Sequence, residues 1–189
     1  SLLHWYSVFG FGTAPDLDGR PTAAGQVALP PGEREKALEA IGDWGVVATP
    51  VQLLQAYVLI ANHGTAWALL TRRARPHRPD PVRRVALKRS TYATILNGLV
   101  GCVKSGTCQA AAVPAVHVAG KTGTASALDG SRTTQAWFVG FAPAERPEIA
   151  LVVFLDRGTG EQNAAPLAGK LLRHYFAAKG KGRRASDRR

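Results

Sequence analysis

Apolar residues recur at helical spacing between positions 49 and 64. That face is formed by Leu53, Leu54, Tyr57, Val58, Ile60 and Ala61. Thr49 is a good N-cap residue, Pro50 suits the first helical position, and "NHG" at 62–64 is typical of a helix end. The pattern predicts a largely buried helix of about three turns.

Three other segments carry weaker patterns. Residues 1–9 are typical of the end of a helix, which the glycines of "GFGT" terminate, and residues 13–36 indicate a long surface loop. "STYATILNGLVGCVKSG" has its apolar residues on one stripe, with Ser90 as a possible cap and Gly106 at the end. This stretch predicts a second amphipathic helix.

In the last third of the chain, the pattern of apolar residues changes from helical spacing to short strand-like runs. "HVAGKTGTAS", "TQAWFVGFAP" and "EIALVVFLDR" are three short strand-like runs, joined by turn residues. Short links favour antiparallel pairing, and the apolar third run is expected to be central. "NAAPLAGKLLRHYFAAK" predicts a closing helix whose inner face is formed by Leu167, Leu171, Leu172, Tyr175 and Phe176. We therefore predict an α+β fold with an antiparallel three-strand meander packed against helices.

The net charge of +11 is concentrated in two segments of the 189 residues. Residues 72–89 form a Pro-rich basic loop, and residues 179–189 form a Gly/Arg-rich tail that we expect to be disordered. Either segment could be a solvated surface or could contact an anionic one. Since no reader motif accompanies the charge, we expect no nucleic-acid partner.

Cys102 and Cys108 are the two cysteines. They could form a disulfide if "VKSGT" turns between them, which would suit an extracytoplasmic compartment; two unlinked thiols are the alternative. The chain has no CxxC and no histidine pair with metal spacing, so we expect no metal and no cofactor.

The stretch "VAGKTGTASA" at 118–127 breaks the rules for an ordinary strand. Lys121 lies between glycines, which cost strand stability, while Thr122 and Thr124 alternate onto the opposite face. Gly120 and Gly123 would let a ligand backbone approach, and the strand edge could pair with an extended anionic peptide. An exposed edge strand protected by a lysine is the alternative interpretation.

Five segments, in order, resemble penicillin-binding proteins. They are "FGFG", "DLDG" with "AAGQVALPP", "IGDWGVVATPVQLLQAYVLIANHG", the approach "LVGCVKSGTCQAAAVPAVHVAGKTGTAS" and "QAWFVGFAP". Lys-Thr-Gly on a strand is a signature of these proteins and of serine β-lactamases. The chain resembles the C-terminal portion of a high-molecular-weight, class B-like transpeptidase domain over residues 1–178.

The resemblance implies a peptidoglycan D,D-transpeptidase at the extracytoplasmic face of the bacterial membrane. Its partners would be the D-Ala-D-Ala stem peptide, β-lactams and a glycosyltransferase. Lys121, Thr122 and Gly123 would be catalytic residues that orient the substrate carboxylate and allow its approach. Thr124 would bind that carboxylate, and the backbone N–H of Ala125 would contact the reacting carbonyl.

Two family motifs are missing from these 189 residues. The nucleophile motif is Ser-x-x-Lys and the second motif is Ser-x-Asn, and none of the seven serines begins either one. We expect the acylating serine to lie upstream, so that this chain alone is inactive. A class D β-lactamase, a β-lactam sensor and a non-catalytic peptide-binding homologue are the alternatives.

Overall fold

The computed structural model of the protein describes residues 2–42, 44–71, 81–128 and 130–186. The chain divides into two compact units, residues 1–92 and 93–189. The predicted boundary at residue 178 between the domain and its tail stays a prediction. Within the described ranges, no helix combines the length and apolar character needed to cross a bilayer.

The first unit is built around one capped helix. Its elements are α1 (Leu2–Phe9), β1 (Gln26–Val27), α2 (Glu33–Ala40), β2 (Val46–Val47), α3 (Pro50–Ala61), β3 (Thr65–Trp67) and β4 (Pro81–Arg84). The α3 helix starts as predicted, with Thr49 at the N-cap and Pro50 as its first residue; the structure adds a reciprocal capping box between Thr49 and Gln52. Leu59 and Ile60 are among the α3 residues buried in the core.

The structure differs from the sequence-based predictions in two places of this unit. The expected loop at 13–36 contains β1, which pairs with β2, and the beginning of α2. β3 pairs with β4 in an antiparallel ladder, whereas residues 72–89, which include β4, were expected to form a loop. Residues 72–80 of the predicted basic loop lie outside the described residues.

The second unit contains the predicted meander. After α4 (Arg89–Ser105) and a short 3₁₀ turn (Gln109–Ala111), three strands follow: β5 (Ala119–Ser126), β6 (Thr134–Ala142) and β7 (Ile149–Leu155). The sheet order is β5-β6-β7, and both pairs are antiparallel. The predicted α+β class is confirmed. The expectation that the third run is central is wrong among the described strands, because β6 lies between its two hairpin partners.

A single π-helical turn (Gly160–Ala164) leads into α5 (Ala165–Ser186). Leu172 is fully buried, but Leu167 and Leu171 are exposed rather than on the inner face. Small residues make the contact instead: a Cβ at Gly169 would lie 2.2 Å from the carbonyl oxygen of Ala110. The helix continues through residues 179–186, where a disordered tail was expected.

Candidate functional site

The motif strand β5 is an edge strand of the sheet among the residues that the structure describes. Its register with β6 runs without a shift from Ala119 opposite Phe141 to Ser126 opposite Thr134. Side chains alternate along it, so Thr122 and Thr124 lie on one face and Lys121 on the other, as predicted.

Two hydrogen bonds just beyond the ends of β5 show which way its backbone groups point. The N–H of Ala127 donates to the carbonyl of Thr133 at 3.1 Å, and the carbonyl of His117 accepts from Ala144 at 2.8 Å. Because bonded positions alternate in an antiparallel pair, the odd-numbered residues of β5 bond to β6. The N–H and C=O groups of the even-numbered residues therefore face the unpaired edge.

This alternation corrects one site prediction. The backbone N–H of Ala125 is turned toward β6, so it is not placed to contact a ligand at the edge, where the sequence analysis expected it. Thr124 has its N–H at that edge, next to its own hydroxyl. The edge N–H and the hydroxyl thus both belong to Thr124, whereas the prediction assigned the N–H to Ala125.

Lys121 is exposed and reaches the same edge from the opposite face. Its ammonium donates to the carbonyl oxygen of Thr122 at 2.7 Å, and no described carboxylate forms an ion pair with it. The positive charge is therefore held beside the strand edge by a neutral carbonyl, which an incoming anion could replace as its partner.

The two threonine hydroxyls are held by different neighbours. Thr122 is buried, with 8% of its surface exposed, and its hydroxyl lies 2.5 Å from that of Thr107. Thr124 is an exposed residue, and its hydroxyl accepts a hydrogen bond from the N–H of Gly160 at 3.0 Å. Because that bond uses a lone pair, the Thr124 hydroxyl proton stays available for an anionic ligand.

Glycines let other groups lie directly against the motif strand. A Cβ at Gly120 would be 2.6 Å from the ring of Phe138, which is fully buried. A Cβ at Gly160 would be 2.5 Å from the carbonyl oxygen of Gly123. The site thus depends on Gly160 and Thr107, to which sequence reasoning assigned no role. Thr107 belonged to the quoted approach to the motif, and Gly160 to a glycine-rich loop.

The disulfide that the sequence left open is present, between Cys102 and Cys108. Two clefts of the first unit, one beside His63 and Tyr92 and one beside Phe9 and Leu59, contain no residue of the motif strand. In the described part of the chain, no three histidine, cysteine or acidic side chains are grouped so that they could hold a metal ion.

Comparison with known families agrees with this geometry. The family described as "Penicillin binding protein transpeptidase domain" matches residues 1–173. The chain belongs to the penicillin-binding protein transpeptidase family. The resemblance seen in the sequence, to penicillin-binding proteins of the bacterial cell wall, is thereby confirmed.

Several relatives of this transpeptidase-family chain are named as peptidoglycan D,D-transpeptidases. Peptidoglycan D,D-transpeptidase MrdA of Acinetobacter baumannii is 28% identical, over 95% of this chain and 31% of its own length. Stage V sporulation protein D of Bacillus subtilis is 30% identical, over 91% of this chain and 30% of its own length. The chain therefore spans about a third of the length of these relatives.

Solved structures extend the likeness to the fold. The transpeptidase domain of penicillin-binding protein 3 from Burkholderia pseudomallei matches with a TM-score of 0.80 at 26% identity, over 94% of this chain and 56% of that one. Penicillin-binding protein A from M. tuberculosis, solved as an imipenem acyl-enzyme complex, matches with a TM-score of 0.77 at 26% identity, over 90% and 40%.

Proposed function

We propose that this chain forms the substrate-carboxylate wall of a peptidoglycan D,D-transpeptidase. The observation that carries the proposal is the unpaired edge of β5, where the N–H of Thr124, two threonine hydroxyls and the Lys121 ammonium lie within residues 121–124. An extended peptide that ends in a carboxylate can pair with such an edge by strand addition.

The roles follow from the direction in which each group points. The ammonium of Lys121 attracts the terminal carboxylate of D-Ala-D-Ala, and the hydroxyls of Thr122 and Thr124 donate to it. The N–H of Thr124 stabilises the oxyanion that forms on the carbonyl under attack. Gly123 carries no side chain on the Lys121 face, where a Cβ would lie 3.3 Å from the Cβ of Trp137, so the peptide can lie close to the strand on that side.

The nucleophile comes from residues outside this sequence, because none of the 189 residues begins a Ser-x-x-Lys motif. A serine oxygen attacks the carbonyl of the penultimate D-Ala, the amide C–N bond breaks, and the terminal D-Ala leaves with a proton on its nitrogen. The amine of a second stem peptide then attacks the ester, which forms the cross-link and regenerates the serine. A β-lactam would follow the first step only, as in the imipenem acyl-enzyme complex of the M. tuberculosis protein.

These reactions would take place at the extracytoplasmic face of the membrane, where peptidoglycan and its glycosyltransferase partners are found. The Cys102–Cys108 disulfide supports that location, since disulfides persist in oxidising compartments.

The test is acylation of the full-length gene product by a fluorescent penicillin. Lys121→Ala should lower the second-order acylation rate about 10- to 100-fold, the size expected when one charge-assisted hydrogen bond is lost. Unfolding should change little because Lys121 is exposed. Lys170→Ala, the same change at an exposed position of α5, is the matched control and should label as the unchanged protein does.

Three outcomes would contradict parts of the proposal. An equal rate in Lys121→Ala would remove that ammonium from the site. Labelling of these 189 residues alone would show a nucleophile within them. A full-length product that binds stem peptide but is never acylated would be a non-catalytic binding homologue.

A further inference from the structure

The hydroxyl pair Thr107–Thr122 joins the motif strand to a segment that the proposed roles do not use. The two oxygens are 2.5 Å apart, although the residues are 15 positions apart in the chain. Thr107 lies between the end of α4 and the 3₁₀ turn. Thr122 is buried and Thr107 is exposed. Thr107 is therefore the partner that can orient the Thr122 hydroxyl.

The backbone of Thr107 is fastened on both sides. The preceding Gly106 and the following Cys108 both donate their N–H to the carbonyl of Cys102, at 3.0 and 3.1 Å. Gly106 packs so closely that a Cβ there would be 3.0 Å from the Cα of Cys102. The disulfide closes the same loop, with a Cα–Cα distance of 5.1 Å, and Cys108 is fully buried. The loop therefore allows Thr107 little freedom.

The disulfide also determines the direction of the hydrogen bonds. The sulfur of Cys102 lies 3.6 Å from the Thr107 hydroxyl, and a disulfide sulfur has no hydrogen, so it can only accept. In the free protein Thr107 donates to this sulfur and accepts from Thr122. Sulfur is a weak acceptor, so Thr107 loses little when it turns its proton to Thr122. It then polarises the Thr122 hydroxyl as that hydroxyl donates to an anion.

We propose that Thr107, held in place by the Cys102–Cys108 disulfide, is the positioning residue that directs the Thr122 hydroxyl toward the substrate carboxylate. This inference rests on the proposed function, because it assigns the ligand of Thr122 to a carboxylate. Thr107 itself does not touch the substrate; it acts through Thr122.

The kinetic test uses the full-length gene product and two acylating agents, benzylpenicillin and its methyl ester, which lacks the negative charge. Thr107→Val removes the hydroxyl at nearly constant shape. It should slow acylation by benzylpenicillin about fivefold, the loss expected for one neutral hydrogen bond, and leave the rate with the ester unchanged. Thr107→Ser keeps the hydroxyl and should restore the rate with benzylpenicillin.

The disulfide is tested in the same assay. Cys102→Ala with Cys108→Ala should slow benzylpenicillin by a similar factor in the otherwise unchanged protein and add little to Thr107→Val, because both changes act through one contact. Ser105→Ala is the matched control. Its hydroxyl lies in the same loop but bonds to the carbonyl of Gly101, so its removal should not alter the rate.

Three kinetic results would overturn the inference: no effect of Thr107→Val, equal slowing of the acid and the ester, or a cysteine effect that is fully additive with Thr107→Val. Equal slowing would mean that Thr107 is merely structural.

A second readout does not need the reaction. Three-bond couplings to the Thr122 methyl group should show one side-chain rotamer in the protein and averaging over rotamers in Thr107→Val. If Thr122 keeps one rotamer in that variant, the positioning role is refuted. A full-length product that is never acylated would refute the proposed function alone, and the couplings would still decide the role of Thr107.

Discussion

Gly160→Ala tests the close approach between the π-helical turn and the motif strand. The added methyl carbon would lie 2.5 Å from the carbonyl oxygen of Gly123, and 2.8 Å from both the nitrogen of Gly123 and the Cβ of Thr122. Ordinary contacts of this kind are 3.4–4 Å, so the methyl group is about 1 Å too close to the oxygen. The atoms it meets belong mainly to backbone that the ladder with β6 holds in place.

The expected cost follows from this geometry. Overpacking of a fixed neighbour costs about 1–3 kcal/mol, and alanine regains at most about 1 kcal/mol over glycine in a helical turn. The free energy of unfolding should therefore fall by about 1–2 kcal/mol, which lowers Tm by about 2–8 °C in a chain of this size. The hydrogen bond from Gly160 to Thr124 should weaken as the turn moves away.

Urea and thermal unfolding measure this change. Gly98→Ala is the matched control, because Gly98 lies inside α4 and an added Cβ would meet nothing within 4 Å. That variant should gain about 0.5–1 kcal/mol from helix propensity. If Gly160→Ala proved as stable as the unchanged protein, the turn would not lie against the motif strand, and the bond to Thr124 would lose its structural basis.

Two further predictions concern α3. Gln52, with 1% of its surface exposed, donates to the carbonyls of Ala24 and Thr13 at 2.7 and 3.1 Å and completes the capping box. Gln52→Ala should lower the free energy of unfolding by about 2–4 kcal/mol in urea titrations, and an unchanged midpoint would contradict this. Burial raises the pKa of Tyr57 from 10.0 to about 12. Tyr57 stays protonated to a higher pH in the folded protein than in the unfolded chain. Its contribution to the free energy of unfolding is therefore fully present below pH 10 and falls by about 1.4 kcal/mol per pH unit between pH 10 and pH 12. Tyr57→Phe should remove this part of the pH dependence, and equal slopes for both proteins would show that Tyr57 does not cause it.

The sequence predicted those parts of the fold that local interactions determine. Thr49, Pro50 and Gln52 specify the start of α3 within four residues, and the short links of the meander leave its strands no other simple pairing. The α2 helix was missed because "EREKALEA" has no apolar stripe, although its residues favour a helix. The inner face of α5 was partly misassigned: Leu172 is buried as predicted, but Ala168 and Gly169, rather than Leu167 and Leu171, allow the helix to approach closely.

In the candidate site too, local sequence predicts some features and not others. The motif strand and the faces of its side chains could be predicted, since a period of two fixes which residues point together. The residue that donates its N–H at the edge could not be predicted, because the hydrogen-bonded positions depend on the register with β6. That register assigns the donor to Thr124 rather than to Ala125. Thr107 and Gly160 reach the strand through contacts between distant parts of the chain, and no local pattern signals such contacts.

The glycine at position 120 makes room for the Phe138 ring, so it would be retained even in a descendant that no longer reacts with any substrate. Packing does not constrain Lys121 in this way, since its side chain is exposed. An intact Gly120 therefore indicates only that the packing of the sheet is retained. Loss of the Lys121 ammonium would instead mark a homologue that no longer catalyses the reaction.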